Sequence, residues 1–352
     1  MMLNVILKYF PHNKVLSALP FGNGHINDTY KLILEGVSDI FILQRINTKV
    51  FPNPKGIVDT HLRLQSRILS QRDTITIAEI IPNTDGEYLT FDDEGYAWRM
   101  TSYIEDSYSV DVIEHEWEAY EAGNAYGWFA NICSTLKVNE FEEAIRDFHR
   151  LSFRLRQLKE AISGNLSKRA GSVKDLIDFY QEREAKLSLI ETLTNEGKIP
   201  LRVVHNDTKI NNLLFRDKKA VAVIDLDTVG PGILYYDYGD ALRTSACTAK
   251  EDEKNLDLVR FNIEAFKAFS NGYLPQVKSI LSNEEREWFY LAPVLLTYIM
   301  GIRFLTDYLN GDKYYKISYP GHNLDRSRVQ MTLIRSMEGF ETDMKSIIDI
   351  LL

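Results

Sequence analysis

Apolar positions recur at two different periods along this chain. Up to about residue 105 they alternate in short runs, "KVLSALP", "DTYKLIL", "DIFILQRIN", "EYLTF" and "YAWRMTSYI". Alternation in runs of this length predicts strands, and the Asn23-Gly24 pair between the first two predicts a hairpin. One helix interrupts the series, from Ile57 to Gln71. From about residue 108 the period becomes helical: Val173, Leu176, Ile177 and Tyr180 lie on one face of a segment opened by a Ser172–Asp175 capping pair. Ser282 and Glu285 repeat that device, and Val329, Leu333 and Met337 form a packing face near the C-terminus. The uncharged run Trp288 to Ile302 contains Pro293 and, at fifteen residues, falls short of the roughly 20 needed to span a bilayer. It predicts a buried helix. The expected division is therefore a strand-rich lobe over 1–104 and a helical lobe over 105–352.

Chemistry gathers in "VVHNDTKINNLLF", residues 203 to 215, where His205, Asp207, Lys209, Asn211 and Asn212 break an apolar segment. A plain surface turn is one reading of such a run. A second apolar run, "AVAVIDLDT", ends in Asp225 and Asp227. A strand, a loop and another strand bring Asp207, Asn212 and Asp225 to one edge, and two carboxylates with an amide oxygen are the hard donors that Mg²⁺ prefers.

The spacing His-x-Asp-x-x-x-x-Asn followed by a strand-end Asp resembles the catalytic loop of the kinase-like phosphotransferases. That resemblance implies an α+β, bilobal protein-kinase-like fold with a small antiparallel N-lobe and a larger helical C-lobe. It makes Asp207 the base for an attacking hydroxyl and Asn212 and Asp225 the Mg²⁺ ligands, with ATP as donor. Gly22, Gly24 and His25 then belong to the loop over the phosphates, although His25 could equally shape the turn. Thr101 to Glu105, with Tyr103 at its centre, is the expected adenine-binding hinge. Two kinase parts are absent: Gln44 stands where the strand lysine should fall, and "IVDTHLRLQSRILSQ" offers no glutamate partner. Arg45, next to Gln44, points to the opposite face of its strand.

Six segments, "GNGHINDTY", "FILQRINTKVFPN", "LRVVHNDTKINNLLF", "AVIDLDTVGPG", "DYGDALR" and "YLNGDKYYKISYPGHNLDRSRVQ", together resemble the N-acetylhexosamine 1-kinases of the aminoglycoside phosphotransferase superfamily. The resemblance implies phosphorylation of the anomeric hydroxyl of N-acetylglucosamine or N-acetylgalactosamine, with Arg303 and Tyr314 contacting the sugar. Arg303 follows a long uncharged run, so it needs a polar partner, either the substrate or Asp307 one turn along. Tyr314 shares its segment with Tyr315 and Tyr319, which could be packing aromatics. Asp227 reads as ordering its loop, with sugar binding as the alternative, Asp237 and Asp240 as capping or bracing the helix after "GPGILYYDYGD", and His205 as bracing the catalytic loop.

Composition then narrows the partners. A net charge of −9 argues against a nucleic-acid partner. Cys133 and Cys247 have no metal-ligand spacing and read as free thiols of a cytoplasmic protein, and "MMLNVILKYF" lacks the features of a signal peptide. The expected partner is a small sugar, with no membrane and no obligate protein partner. Two further readings stay open: the same fold acting on another sugar, an amino alcohol or an aminoglycoside, and a pseudokinase that binds nucleotide without turnover.

Overall fold

A computed structural model describes residues 2–22, 26–70 and 75–352. Gly24, His25 and the Asn23-Gly24 hairpin tip lie outside the described residues. The N-terminal region holds α1 (Met2–Tyr9), β1 (Val15–Pro20), β2 (Asp28–Leu34), β3 (Phe41–Arg45), α2 (Pro54–Leu69), β4 (Ile80–Ile81), β5 (Thr90–Phe91) and β6 (Ala97–Ser102). All pairings in its sheet are antiparallel, in the order β1-β2-β3-β6-β4 with β5 also on β6.

Alternation along these strands separates two faces. Leu32, Leu34, Phe41, Leu43, Trp98 and Met100 pack under α1. Thr29, Lys31, Ile42, Gln44 and Arg99 lie on the other face, by the registers Thr29↔Gln44, Lys31↔Ile42 and Gln44↔Arg99. Helix α2 starts with Pro54 at its first turn, and the Asn53 side chain caps it by accepting from the Gly56 N–H at 3.1 Å. It buries Ile57, His61, Leu64 and Ile68 and packs against the turn at Leu226–Thr228.

The larger region contains α3 (Glu116–Cys133), α4 (Leu151–Gly164), α5 (Lys174–Asn195), β7 (Arg202–Val204), β8 (Leu213–Arg216), β9 (Lys219–Val223), β10 (Gly230–Gly232), α6 (Leu234–Ser245), α7 (Ile263–Val277), α8 (Asn283–Trp288), α9 (Ala292–Leu309), α10 (His322–Gly339) and α11 (Glu341–Leu351). The antiparallel region followed by a helical region is the predicted α+β arrangement. Helix α9 is the axis of the core, with α4, α6 and α10 against it. The stretch Asn283–Leu309 is apolar and long enough to cross a membrane by composition, yet 94% of its most apolar window is buried, as in the core helix of a folded domain. Helices α3 and α7 cross closely enough that a Cβ on Gly123 would stand 2.0 Å from the Phe269 carbonyl oxygen, so only glycine fits there.

The capping box at Ser282 and Glu285 forms as the pattern predicts. The pair at Ser172 and Asp175 does not: a tight helical turn, Ala170–Val173, precedes α5, and the Ser172 hydroxyl donates back to the Arg169 carbonyl.

Candidate active site

Strands β7 and β10 pair, as do β8 and β9, and the loop 205–212 runs between the two small sheets. His205 anchors that loop. Its buried ring donates from Nε2 to the Ile224 carbonyl at 3.0 Å and accepts the Asp207 N–H at Nδ1, 3.3 Å away. A carbonyl only accepts and an N–H only donates, so this pair of bonds selects one neutral tautomer. Burial lowers its pKa and keeps it neutral, and edge contacts from Tyr126 and Phe129 fill the remaining space. His205 therefore ties the backbone of Asp207 to the residue preceding Asp225.

Asp237, in the first turn of α6, accepts the backbone N–H groups of His205 at 2.8 Å and Asn206 at 2.7 Å. It braces the loop rather than its own helix. Burial raises its pKa to about 7 against the pull of those two donors. Asp240 pairs with Arg243 one turn along α6, at 2.9 Å.

The Asp207 carboxylate is held from two sides. Asn212 Nδ2 donates to its Oδ2 at 3.2 Å and to its backbone carbonyl at 2.8 Å, while Lys209 Nζ lies 3.2 Å from Oδ1. The negative charge of Asp207 raises the pKa of Lys209. Because the Asn212 amide nitrogen is committed to Asp207, its oxygen is the atom left to meet a cation.

Asp225 adopts a left-handed backbone, φ 59° and ψ 60°, at the end of β9. Its side chain reaches solvent, with enough protein close around it to weaken its hydration. That surrounding, with the charges of Asp227 and Asp207, raises its pKa to about 7. A site where nearby carboxylates disfavour their own ionisation gains from a bound cation. The donors fit Mg²⁺: two protein oxygens, with phosphate and water able to complete the shell. Among the described residues no group of three His, Cys, Asp or Glu side chains is placed to hold a metal alone.

Opposite the loop from this acidic group lies a basic one. His149 Nε2 donates to the Asn206 carbonyl at 2.7 Å, and its ring centroid is 4.3 Å from that of Phe148. The Arg303 guanidinium lies over Phe148 at 4.7 Å and over Tyr315 at 5.6 Å. Arg154 donates to the Phe148 carbonyl at 3.1 and 2.8 Å and to Gln157 at 2.9 Å. Neither arginine has a carboxylate partner among the described residues; Arg303's hydrogen bond is to the Met300 sulfur. Burial and the charge of Arg303 lower the Arg154 pKa to about 10, and burial, again with Arg303, lowers His149 to about 3.

The alternative partner for Arg303 is thereby removed. Asp307 spends its carboxylate on the N–H groups of Lys313, Tyr314 and Tyr315 and on the Asn323 amide, all within 3.0 Å. Those bonds fix the segment carrying the tyrosines. Tyr314 is 61% exposed and meets Tyr315 edge-on at 4.8 Å, while Tyr315 is the ring that faces Arg303. On the sheet, Tyr103 follows β6, its ring covered by Lys31 at 4.0 Å and by Phe21 at 5.7 Å. Gly22 has a positive φ of 79°, beside the undescribed loop tip. Arg45 turns to Asp28 and Tyr96, away from the cleft as its strand position requires.

Sequence reasoning passed over Phe148, His149, Arg154 and Arg99. Arg99 carried a usable signal, a lone charge inside the apolar strand "AWRM".

A mixed fold of this kind, with a carboxylate-and-amide loop between two small β-pairs, defines a kinase-like phosphotransferase. Residues 17–270 match the phosphotransferase enzyme family, and the chain belongs to that family. Solved structures share the fold. The microcompartment-associated aminopropanol kinase is 14% identical over 98% of both chains, with a TM-score of 0.62. The ADP-bound aminoglycoside phosphotransferase APH(2'')-Ib is 14% identical over 96% of this chain and 97% of its own, with a TM-score of 0.57. An ethanolamine kinase from Plasmodium vivax is 14% identical over 91% of this chain and 82% of its own, with a TM-score of 0.55.

Proposed function

We propose that this phosphotransferase moves the γ-phosphoryl group of ATP to the anomeric hydroxyl of N-acetylglucosamine or N-acetylgalactosamine. The observation that carries this choice of acceptor is the pair Arg154 and Arg303, backed by Phe148 and Tyr315 and without an ion-paired carboxylate among the described residues, on the far side of the Asp207 loop. Guanidinium donors suit hydroxyl and amide oxygens and repel an ammonium group. The sequence resemblance over residues 22 to 330 supports the same acceptor.

In this reading Asp207 is the base. Asn212 and Lys209 orient its carboxylate so that one oxygen accepts the C1 hydroxyl proton. The sugar oxygen bonds to the γ-phosphorus, the bond from that phosphorus to the β–γ bridging oxygen breaks, and ADP leaves with its electron pair. Asn212 and Asp225 would hold Mg²⁺, which when bound neutralises charge on the phosphate oxygens. Gly22, Gly24 and His25 would cover the phosphates, Tyr103 would mark the adenine end, and Arg303 would hold the sugar, with Tyr314 at the rim. Free Cys133 and Cys247 are consistent with a cytoplasmic setting.

A second reading, an amino alcohol acceptor, is favoured by the likeness to aminopropanol and ethanolamine kinases. Release of ADP from Mg²⁺-ATP, measured separately with N-acetylglucosamine, N-acetylgalactosamine, glucose, choline, ethanolamine and kanamycin, separates the two. The proposal expects turnover confined to the N-acetylated sugars. Turnover with an amino alcohol in their place would overturn the acceptor, and none with any acceptor despite ATP binding would favour the pseudokinase.

A further inference from the structure

The missing strand lysine and helix glutamate leave a question of what holds the two sides of the nucleotide cleft in register. A closed ring of polar contacts occupies the place. Gln44 on β3 donates from Nε2 to Thr29 Oγ1 on β2 at 3.1 Å, and its Oε1 accepts from Arg99 Nε and Nη2 at 3.0 and 2.8 Å. Arg99 extends its third nitrogen, Nη1, to Asp227 Oδ1 at 2.6 Å. The other oxygen of Asp227 accepts from Asn27 Nδ2 at 2.7 Å, and Asn27 Oδ1 accepts the Asn47 N–H at 3.0 Å. Asn27 lies two residues before Thr29, so the ring returns to the strand on which it began.

Burial distinguishes this ring from a surface ion pair. The Arg99 and Asp227 side chains are 4% and 1% exposed, so each charge depends on the other. His61 of α2 stands beside them, donating from Nε2 to the Ala78 carbonyl at 2.7 Å, and burial with the Arg99 charge keeps it neutral. The helix that should carry an acidic partner thus brings a neutral group, and the acidic partner comes instead from the turn after β9.

Position gives the ring its consequence. Asp227 is two residues from Asp225, and Asn27 sits at the base of the glycine-bearing hairpin. We infer that Arg99, Asp227 and Asn27 are positioning residues that lock this hairpin and the β2-β3-β6 sheet onto the Asp225 turn, replacing the absent lysine–glutamate pair. The inference rests on reading Asp225 and Asn212 as the metal side of a phosphotransferase site. Arg99 acts through Asp227 and the hairpin rather than on the transferred group. Its loss is therefore felt in Mg²⁺-nucleotide binding and not in acceptor binding.

Calorimetric titration of Mg²⁺-ADP onto the full chain tests this, with Arg99→Met, Asp227→Asn and the double variant, alongside thermal unfolding without nucleotide. Each single variant is expected to weaken Mg²⁺-ADP by about tenfold or more, and the double by no more than the worse single, as for groups acting as one unit. The acceptor KM should stay within about twofold. A fall in melting temperature with unchanged Mg²⁺-ADP affinity would assign the ring to stability alone and overturn the inference. Additive losses in the double variant would overturn it as well. Should Arg99→Met fail to fold, Asn27→Ala removes two half-buried contacts of the ring, to Asp227 and to the Asn47 N–H, leaves the Arg99–Asp227 pair in place, and must still weaken Mg²⁺-ADP. Normal binding by the unaltered protein with unaffected variants would sink the ring alone. No Mg²⁺-ADP binding by the unaltered protein would sink the phosphotransferase reading along with it.

Discussion

The cleft has an acidic end and a basic end, and one short loop separates them. At the acidic end Asp207, Asp225 and Asp227 face two cations, Lys209 and Arg99, and the surplus negative charge helps raise Asp225 to about 7. At the basic end neither Arg154 nor Arg303 is ion-paired with a carboxylate among the described residues, and the surplus positive charge helps lower Arg154 to about 10 and His149 to about 3. The boundary is the Asn206 carbonyl, bonded to His149 on one side and leading into Asp207 on the other. Each end carries an unbalanced charge, and each unbalanced charge selects a ligand. A divalent cation relieves the first. In the proposed function the second would take neutral or anionic oxygen in preference to an ammonium group.

The largest test of this sorting removes the group at the boundary. Asp207→Asn should reduce turnover by about 10³-fold or more, because the amide keeps the shape but cannot take the proton. Acceptor affinity should stay within a few-fold, and unchanged turnover in steady-state assays would displace Asp207 from its role. Next comes Asp225→Ala, expected to weaken Mg²⁺-dependent nucleotide binding by about 10²-fold, the loss of a hard charged ligand. Full affinity at ordinary Mg²⁺ concentration would take Asp225 out of the site. At the basic end, Arg303→Met should raise the acceptor KM by about 10- to 100-fold, the worth of a charge-assisted hydrogen bond, with the ATP KM unmoved. An equal rise in both constants would show that Arg303 supports the fold and not the acceptor.

The smallest expected effect is on stability against pH, and its sign differs between the ends. The folded pKa of His149, about 3, is depressed below the unfolded value near 6.5, so the unfolded chain binds more protons as pH falls through that window. Unaltered protein loses that stability toward acid, and His149→Gln should gain on it as pH is lowered from 7 to 5. The folded pKa of Asp225, about 7, is raised above the unfolded value near 4, so its penalty is absent below pH 4 and grows as pH rises to 7. Asp225→Asn should therefore gain on the unaltered protein toward pH 8. Thermal melts of nucleotide-free protein at pH 5, 6, 7 and 8 read both tilts, and tilts of the same sign would contradict the sorting.

Much of the acidic end was legible in the sequence because its parts are local. Asp207 and Asn212 lie within one loop, and Asp225 ends the second of the two strands that follow it, so spacing alone brings them together. The basic end is built from distant segments. His149 and Asn206 are 57 positions apart, and no periodicity in "DFHRLSFR" announces that Phe148 and Arg154 will meet a helix starting at residue 292. The same non-locality removes one of the two partners considered for Arg303. A carboxylate one turn away was one of its two candidate partners, but Asp307 is at the end of α9, where the N–H groups of the following turn compete for it. Ser172 failed as a cap because the chain was already turning helically before α5, which left its hydroxyl facing Arg169. Arg99 lies between these cases: it was passed over although alternation along β6 is enough to put it on the face of Gln44, and its partner 128 positions later required the fold.

The most direct test of the account is a competition. N-acetylglucosamine and choline at equal concentration would be offered to the protein with Mg²⁺-ATP, and the products read by phosphorus–proton correlation NMR. The charge-sorted cleft predicts one product, with its phosphorus coupled to the anomeric proton of the sugar. Phosphate on choline, with the sugar untouched, would mean that the arginine end does not select the acceptor.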